Sequence, residues 1–105
     1  MLGLGVSHPR LVNDTRQLSY GRPLQAVRDY LTAMDQQGQQ YRAVPASNTV
    51  RILAALGPRM RRIAAEHADG AHTYLVPPEH TAQARHILGP GKLLVPEQAV
   101  ILIND

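Results

Sequence analysis

The run Ala55-Leu56-Gly57-Pro58-Arg59 has the clearest chemical meaning in this sequence, because a β-branched segment passes there through glycine into a helix that starts at proline. The first N–H groups of a helix have no intrahelical acceptor, converge on one spot and carry the positive end of the helix dipole. Such a spot attracts phosphate. Arg59, Arg61 and Arg62 stand at the same helix end. Cations there oppose the dipole at about 0.3–1 kcal/mol each when exposed, so a bound anion accounts for them better than solubility does, and Arg59 is the foremost candidate.

A second group lies at the start of the chain, where Leu2-Gly3-Leu4-Gly5-Val6 leads into Ser7 and His8. Its polar residues fall at the end of a short glycine-punctuated strand, where parallel sheets and barrels place ligands. A simple strand-to-loop turn explains the same residues equally well. The segment is not a dinucleotide fingerprint, since the third glycine of G-x-G-x-x-G would fall at His8, with Pro9 next.

The other titratable residues suggest less. His80 and His86 are six positions apart and face different ways on a helix, His67 and His72 straddle a helix end and a strand, and no His-Glu-x-x-His spacing occurs, so no metal site is expected. Glu66, Asp69 and Glu79 form no acid–base pair and read as solvated or capping carboxylates, while Arg62 and Glu66 have the i, i+4 spacing of a weak ion pair. The four tyrosines do not interleave with basic residues as stacking platforms for nucleic acid would, and Tyr30 and Tyr74 are expected to pack.

The elements that position these residues follow from periodicity. Residues 2–7 read as a strand and 8–22 as a loop, and Leu24, Val27, Leu31 and Met34 recur at helical spacing from Pro23 to an end at Gln36-Gln37-Gly38. Residues 39–48 read as a connection. A strand over 49–55 feeds a helix from Pro58, with Met60, Ile63, Ala64 and His67 on its inner face and a stop at Asp69-Gly70. Residues 71–76 make the next strand, 79–88 a helix that ends at Gly89-Pro90-Gly91, and 92–103 a last strand interrupted at Pro96. Strand and helix alternate throughout, which argues for right-handed βαβ crossovers and an α/β fold with a parallel sheet.

At 105 residues the chain holds one domain, 1–105, and at about 31 residues per unit it holds three to four units of an eight-unit barrel. A content of 44% hydrophobic and 18% charged residues is globular, and with no Phe or Trp the core must be aliphatic. Ten Arg and one Lys against eight acids leave a net charge of +3, too small by itself to predict nucleic acid. The absence of Cys removes thiolate catalysis, thiolate metal sites and disulfides. No apolar run approaches the ~20 residues of a membrane span and none has the form of a signal peptide, so a cytoplasmic protein is expected.

Several segments together resemble the luciferase-like monooxygenase superfamily, in particular its oxidoreductases that use the deazaflavin coenzyme F-420. They are residues 2–8, Tyr20-Gly21-Arg22-Pro23-Leu24 with the helix that follows, and, within 52–102, the runs at 55–60, 68–72, 75–81 and 96–100. Each is short, and their order and spacing across most of the chain carry the likeness. The resemblance implies a (β/α)8 TIM barrel of which this chain supplies about the fourth to seventh strands. It implies a cofactor phosphate held by Ala55, Leu56, Gly57, Pro58 and Arg59, and a ring system bordered by Gly5, Val6 and Ser7 with His8 as polar neighbour. The implied activity is hydride transfer between reduced F-420, or FMN as the alternative cofactor, and a small organic substrate, with no catalytic side chain assigned. A partial barrel leaves sheet edges and apolar surface open, so weak cofactor binding, a homo-oligomer or a partner that supplies the missing half is expected. The other class is a non-catalytic remnant or interaction domain that associates through those edges.

Overall fold

The computed structural model describes residues 1–37 and 49–103. The expected helix end at Gly38 and the connection over 39–48 lie outside the described residues. In chain order the elements are β1 (Leu2–Leu4), a π-helical turn (Arg10–Thr15), α1 (Pro23–Gln37), β2 (Arg51–Ala54), α2 (Pro58–His67), β3 (Gly70–Thr73), α3 (Pro78–Leu88) and β4 (Leu93–Pro96). The four strands are all parallel in the order β1-β2-β3-β4, with Gly3 opposite Ile52, Ile52 opposite Gly70 and Gly70 opposite Leu93. The expected α/β fold with a parallel sheet is present.

Sequential order has a consequence for the layers. A right-handed crossover between each successive pair of neighbours carries every helix to the same side of the sheet. The core lies on that side, where Val27 and Leu31 of α1, Ile63 and Ala64 of α2 and Leu88 of α3 meet Leu53, Ala55 and Ala71 from the β2 and β3 segments, with Leu4, Val6 and Leu94 packed against them. Leu31, Leu53 and Ile63 are at most 1% exposed, and such burial is worth about 1.5–3 kcal/mol each. Strand alternation turns Gly3, Gly5, Ala54, His72, Leu93 and Val95 to the opposite side. None of α1, α2 and α3 covers that side, to which Ile52 also turns; Ile52 is buried there, whereas Leu93 and Val95 are exposed.

Proline and glycine punctuate as expected. Pro58 occupies the first turn of α2 behind the N-cap Gly57, and α3 ends at Gly89 with φ +78°. Between Asp69 and Lys92 the lower ends of the strands are tied together. The Asp69 carboxylate accepts the Arg51 N–H at 2.7 Å, the Asp69 carbonyl accepts the Leu93 N–H at 2.9 Å, and Lys92 Nζ donates to the Ala68 carbonyl at 2.6 Å. Asp69 is therefore a backbone tie and not merely a solvated acid.

Several expectations are corrected. The last strand ends at Pro96 and does not run to 103: Glu97 still donates to the Thr73 carbonyl at 2.7 Å and accepts the Val76 N–H at 3.1 Å, but Leu75, at φ +48°, breaks the extended course of the neighbouring segment there. Val100, Ile101, Leu102 and Ile103 are consequently exposed. The segment taken as loop contains the π-helical turn, closed by the Arg16 N–H to the Leu11 carbonyl at 3.1 Å. Tyr30 and Tyr74 do not pack but are more than half exposed, the first at the margin of the α1 stripe and the second beyond the end of β3. His67 is exposed, and Glu66 lies 3.7 Å from His67 Nε2 instead of pairing with Arg62.

Candidate functional site

In a parallel sheet the carboxyl ends of all strands share one edge, and ligands bind there because the following loops and helix starts converge on it. The two segments singled out in the sequence meet that condition. Residues 5–8 leave β1, residues 55–57 leave the adjacent β2, and the approach is close: a Cβ on Gly5 would stand 3.2 Å from the Ala54 Cβ.

Each residue offers something different. Ala55 is buried with its methyl in the core, so only its backbone faces the edge, where its N–H is already held by the His72 carbonyl at 2.9 Å. Leu56, Gly57, Pro58 and Arg59 are exposed. Gly57 caps α2 with φ −81° and ψ 155°, has no side-chain cap, and would meet nothing within 4 Å if it carried a Cβ. The first intrahelical bond is the Arg61 N–H to the Gly57 carbonyl at 3.0 Å, so the N–H groups of Arg59 and Met60 are the orphans of this helix start. No acid stands in the first turn to neutralise them.

At the β1 end, Val6 is half-buried against the core, whereas Gly5, Ser7 and His8 are exposed. Ser7 has φ +62°, and with Leu75 after β3 it is one of two non-glycine residues held in the left-handed region at this edge. Such conformations cost on the order of 1–3 kcal/mol and persist where the surroundings hold them. The Tyr20 hydroxyl donates to the Ser7 carbonyl at 2.9 Å, and the Tyr20 N–H is accepted by Asn13 Oδ1 at 2.9 Å, which clamps the π-helical turn onto the strand end.

His80 was considered in the sequence only as a metal ligand, but its position gives it another task. It stands in the first turn of α3 and its Nε2 lies 2.9 Å from the Leu56 carbonyl, an acceptor, so the proton is on Nε2. That bond links the start of α3 to the loop that aims α2. Nδ1 is buried without a partner among the described residues. Nothing in the spacing signals the contact, because the two residues are 24 positions apart. His80→Ala is expected to lower stability by about 1 kcal/mol through loss of this bond, as read by urea unfolding, and to accelerate amide exchange at Gly57 and Arg59.

Among the described residues no group of three or more His, Asp or Glu side chains could hold a metal ion, and no helix is long and apolar enough to cross a membrane. The arrangement offers an anion the two orphan N–H groups of the α2 start. No family model, curated protein or solved structure matches the chain.

Proposed function

We propose that this chain is the cofactor-binding portion of a luciferase-like oxidoreductase, comprising about the fourth to seventh units of a (β/α)8 barrel and using F-420, with FMN as the alternative. The observation that carries the reading is the β2–α2 junction. An uncapped helix start with two orphan N–H groups and no first-turn acid faces open space at Gly57, on the same sheet edge as residues 5–8.

When bound, the deazaflavin or flavin supplies the hydride that passes to a small organic substrate. The residues present fit such a group, since the free volume at Gly57 and the donors of Arg59 and Met60 suit a phosphate, with the exposed Arg59 guanidinium as a further counter-charge. Gly5, Val6, Ser7 and His8 would border the ring, and the near-bare β1 edge, with glycine at 3 and 5, lets a planar group approach the backbone. The helical layer beneath excludes water from one side only. A chain with one uncovered sheet face is accordingly expected to bind the cofactor weakly until that face is covered.

A second reading is supported by the same uncovered face. Exposed Leu93 and Val95, with Val100 to Ile103 beyond the end of β4, would let the chain act as an interaction domain that pairs through its open edges. Titration of the purified chain with F-420 and FMN, followed by fluorescence and by the amide signals of Arg59 and Met60, separates the two. Saturable binding that moves those signals is expected. Self-association in size-exclusion chromatography without any cofactor response would reject the oxidoreductase reading and favour the second.

A further inference from the structure

A second feature lies beside the α2 start, one layer out from the strand ends. Between α2 and α3 runs an open groove of about 570 Å³, walled by Pro58, Arg61, Ala82, Gln83, His86 and Ile87, and mostly apolar. Arg61 was grouped in the sequence with its neighbours Arg59 and Arg62, but those two are exposed and Arg61 is only 4% exposed. Its Nε and Nη1 are buried and have no hydrogen-bond partner among the described residues. It takes part in no ion pair there either.

Such a guanidinium is unusual. It carries five N–H donors, cannot shed its proton and is costly to bury alone. A surface arginine on an exposed helix would swing its long stem to water. Arg61 shares its helix face with Ala64, which is buried in the core, and among the described residues no acid lines the groove that Arg61 borders. Among the described residues, Gln83 and His86 are the other polar side chains of the groove.

We propose that this groove binds a small carboxylate with a short apolar tail, the head paired with Arg61 and the tail lying against Ala82 and Ile87. A single planar fork matches a carboxylate, which accepts two parallel N–H bonds once the Arg61 side chain turns its buried edge to the groove, and the apolar walls suit a tail. Inorganic phosphate would find one cation and little else. The site shares Pro58 with the proposed phosphate site, but it lies between helices and uses neither the Arg59 and Met60 N–H groups nor the residues at the β1 end, so it stands or falls separately from the oxidoreductase reading.

The test uses hexanoate, hexanol and inorganic phosphate as probes, with the alanine and isoleucine methyl signals of the full chain followed by NMR. Hexanoate is expected to shift Ala82 and Ile87 saturably, with at least about tenfold tighter binding than hexanol, the charge-assisted pair being the difference. Arg61→Met should abolish that preference while keeping the hexanol response. Ile87→Trp, which fills the groove and leaves Arg61 in place, should weaken hexanoate binding about tenfold and decides the matter should Arg61→Met fail to fold. Equal binding of hexanoate and hexanol, hexanoate binding unchanged in Arg61→Met or Ile87→Trp, or no saturable shift would overturn the proposal. A response of the same methyls to phosphate alone would overturn the assignment to a carboxylate.

Discussion

Gly57→Val is expected to weaken F-420 binding by about a hundredfold, equivalent to ~2.7 kcal/mol, while lowering the unfolding free energy of the chain by no more than about 1 kcal/mol, the disadvantage of valine against glycine as an N-cap. The substitution is informative because the fold makes no demand for glycine here. Its φ of −81° and ψ of 155° are ordinary extended values that β-branched residues favour, and a Cβ would meet nothing within 4 Å. The valine methyls would instead occupy the space in front of the Arg59 and Met60 N–H groups. A phosphate pushed from that space loses one or two charge-assisted hydrogen bonds of about 1.5–3 kcal/mol each, which sets the size of the effect. Fluorescence titration and urea unfolding of both proteins check the two halves of the expectation. A variant that binds F-420 as the parent does would place the cofactor elsewhere.

The largest loss of stability is expected at another glycine, for the opposite reason. A Cβ on Gly70 would collide with the Leu93 carbonyl oxygen and stand 2.7 Å from the Leu93 Cβ, so β3 and β4 approach too closely for any side chain at this point. The obstacle is backbone, and it cannot give without parting the ladder in which Gly70 pairs with Leu93. Gly70→Ala is therefore expected to cost about 2–3 kcal/mol, towards the upper end of overpacking, and Gly70→Val to release β4 from the sheet. Urea unfolding measures the first, and amide exchange at Leu94 and Glu97 reports the second. Gly57→Ala serves as a control of equal chemistry in open space. An unchanged midpoint for Gly70→Ala would mean that β3 and β4 do not pair in this register.

Together the two substitutions separate what a glycine does for a ligand from what it does for a fold. Both residues were visible in the sequence as punctuation, Gly57 before the helix and Gly70 after it, and the sequence offers no way to rank them. The distinction arises from what stands opposite. Gly57 faces solvent at the carboxyl edge, whereas Gly70 faces a strand contributed by residues 23 positions further along.

Local sequence by itself determined the succession of elements. Alternating short apolar runs and helical stripes, with proline at helix starts and glycine after α3, place α1 to α3 and β1 to β4, and βαβ units make the sheet parallel because each helix returns the chain to the end where the last strand began. The two candidate segments, 5–8 and 55–59, were likewise legible, since parallel strands bring their carboxyl ends to one edge whatever their side chains. Tertiary structure alone decided three other things. It ended β4 at Pro96, because a strand lasts only as long as its neighbour stays extended, and the chain after β3 breaks at Leu75, with Glu97 the last residue bonded to it. It joined His80 to Leu56 across 24 residues. It buried Arg61 while leaving Arg59 and Arg62 in water, because the face of α2 that carries Arg61 is the one on which α3 lies, and a helical period marks faces without saying which neighbour will cover them.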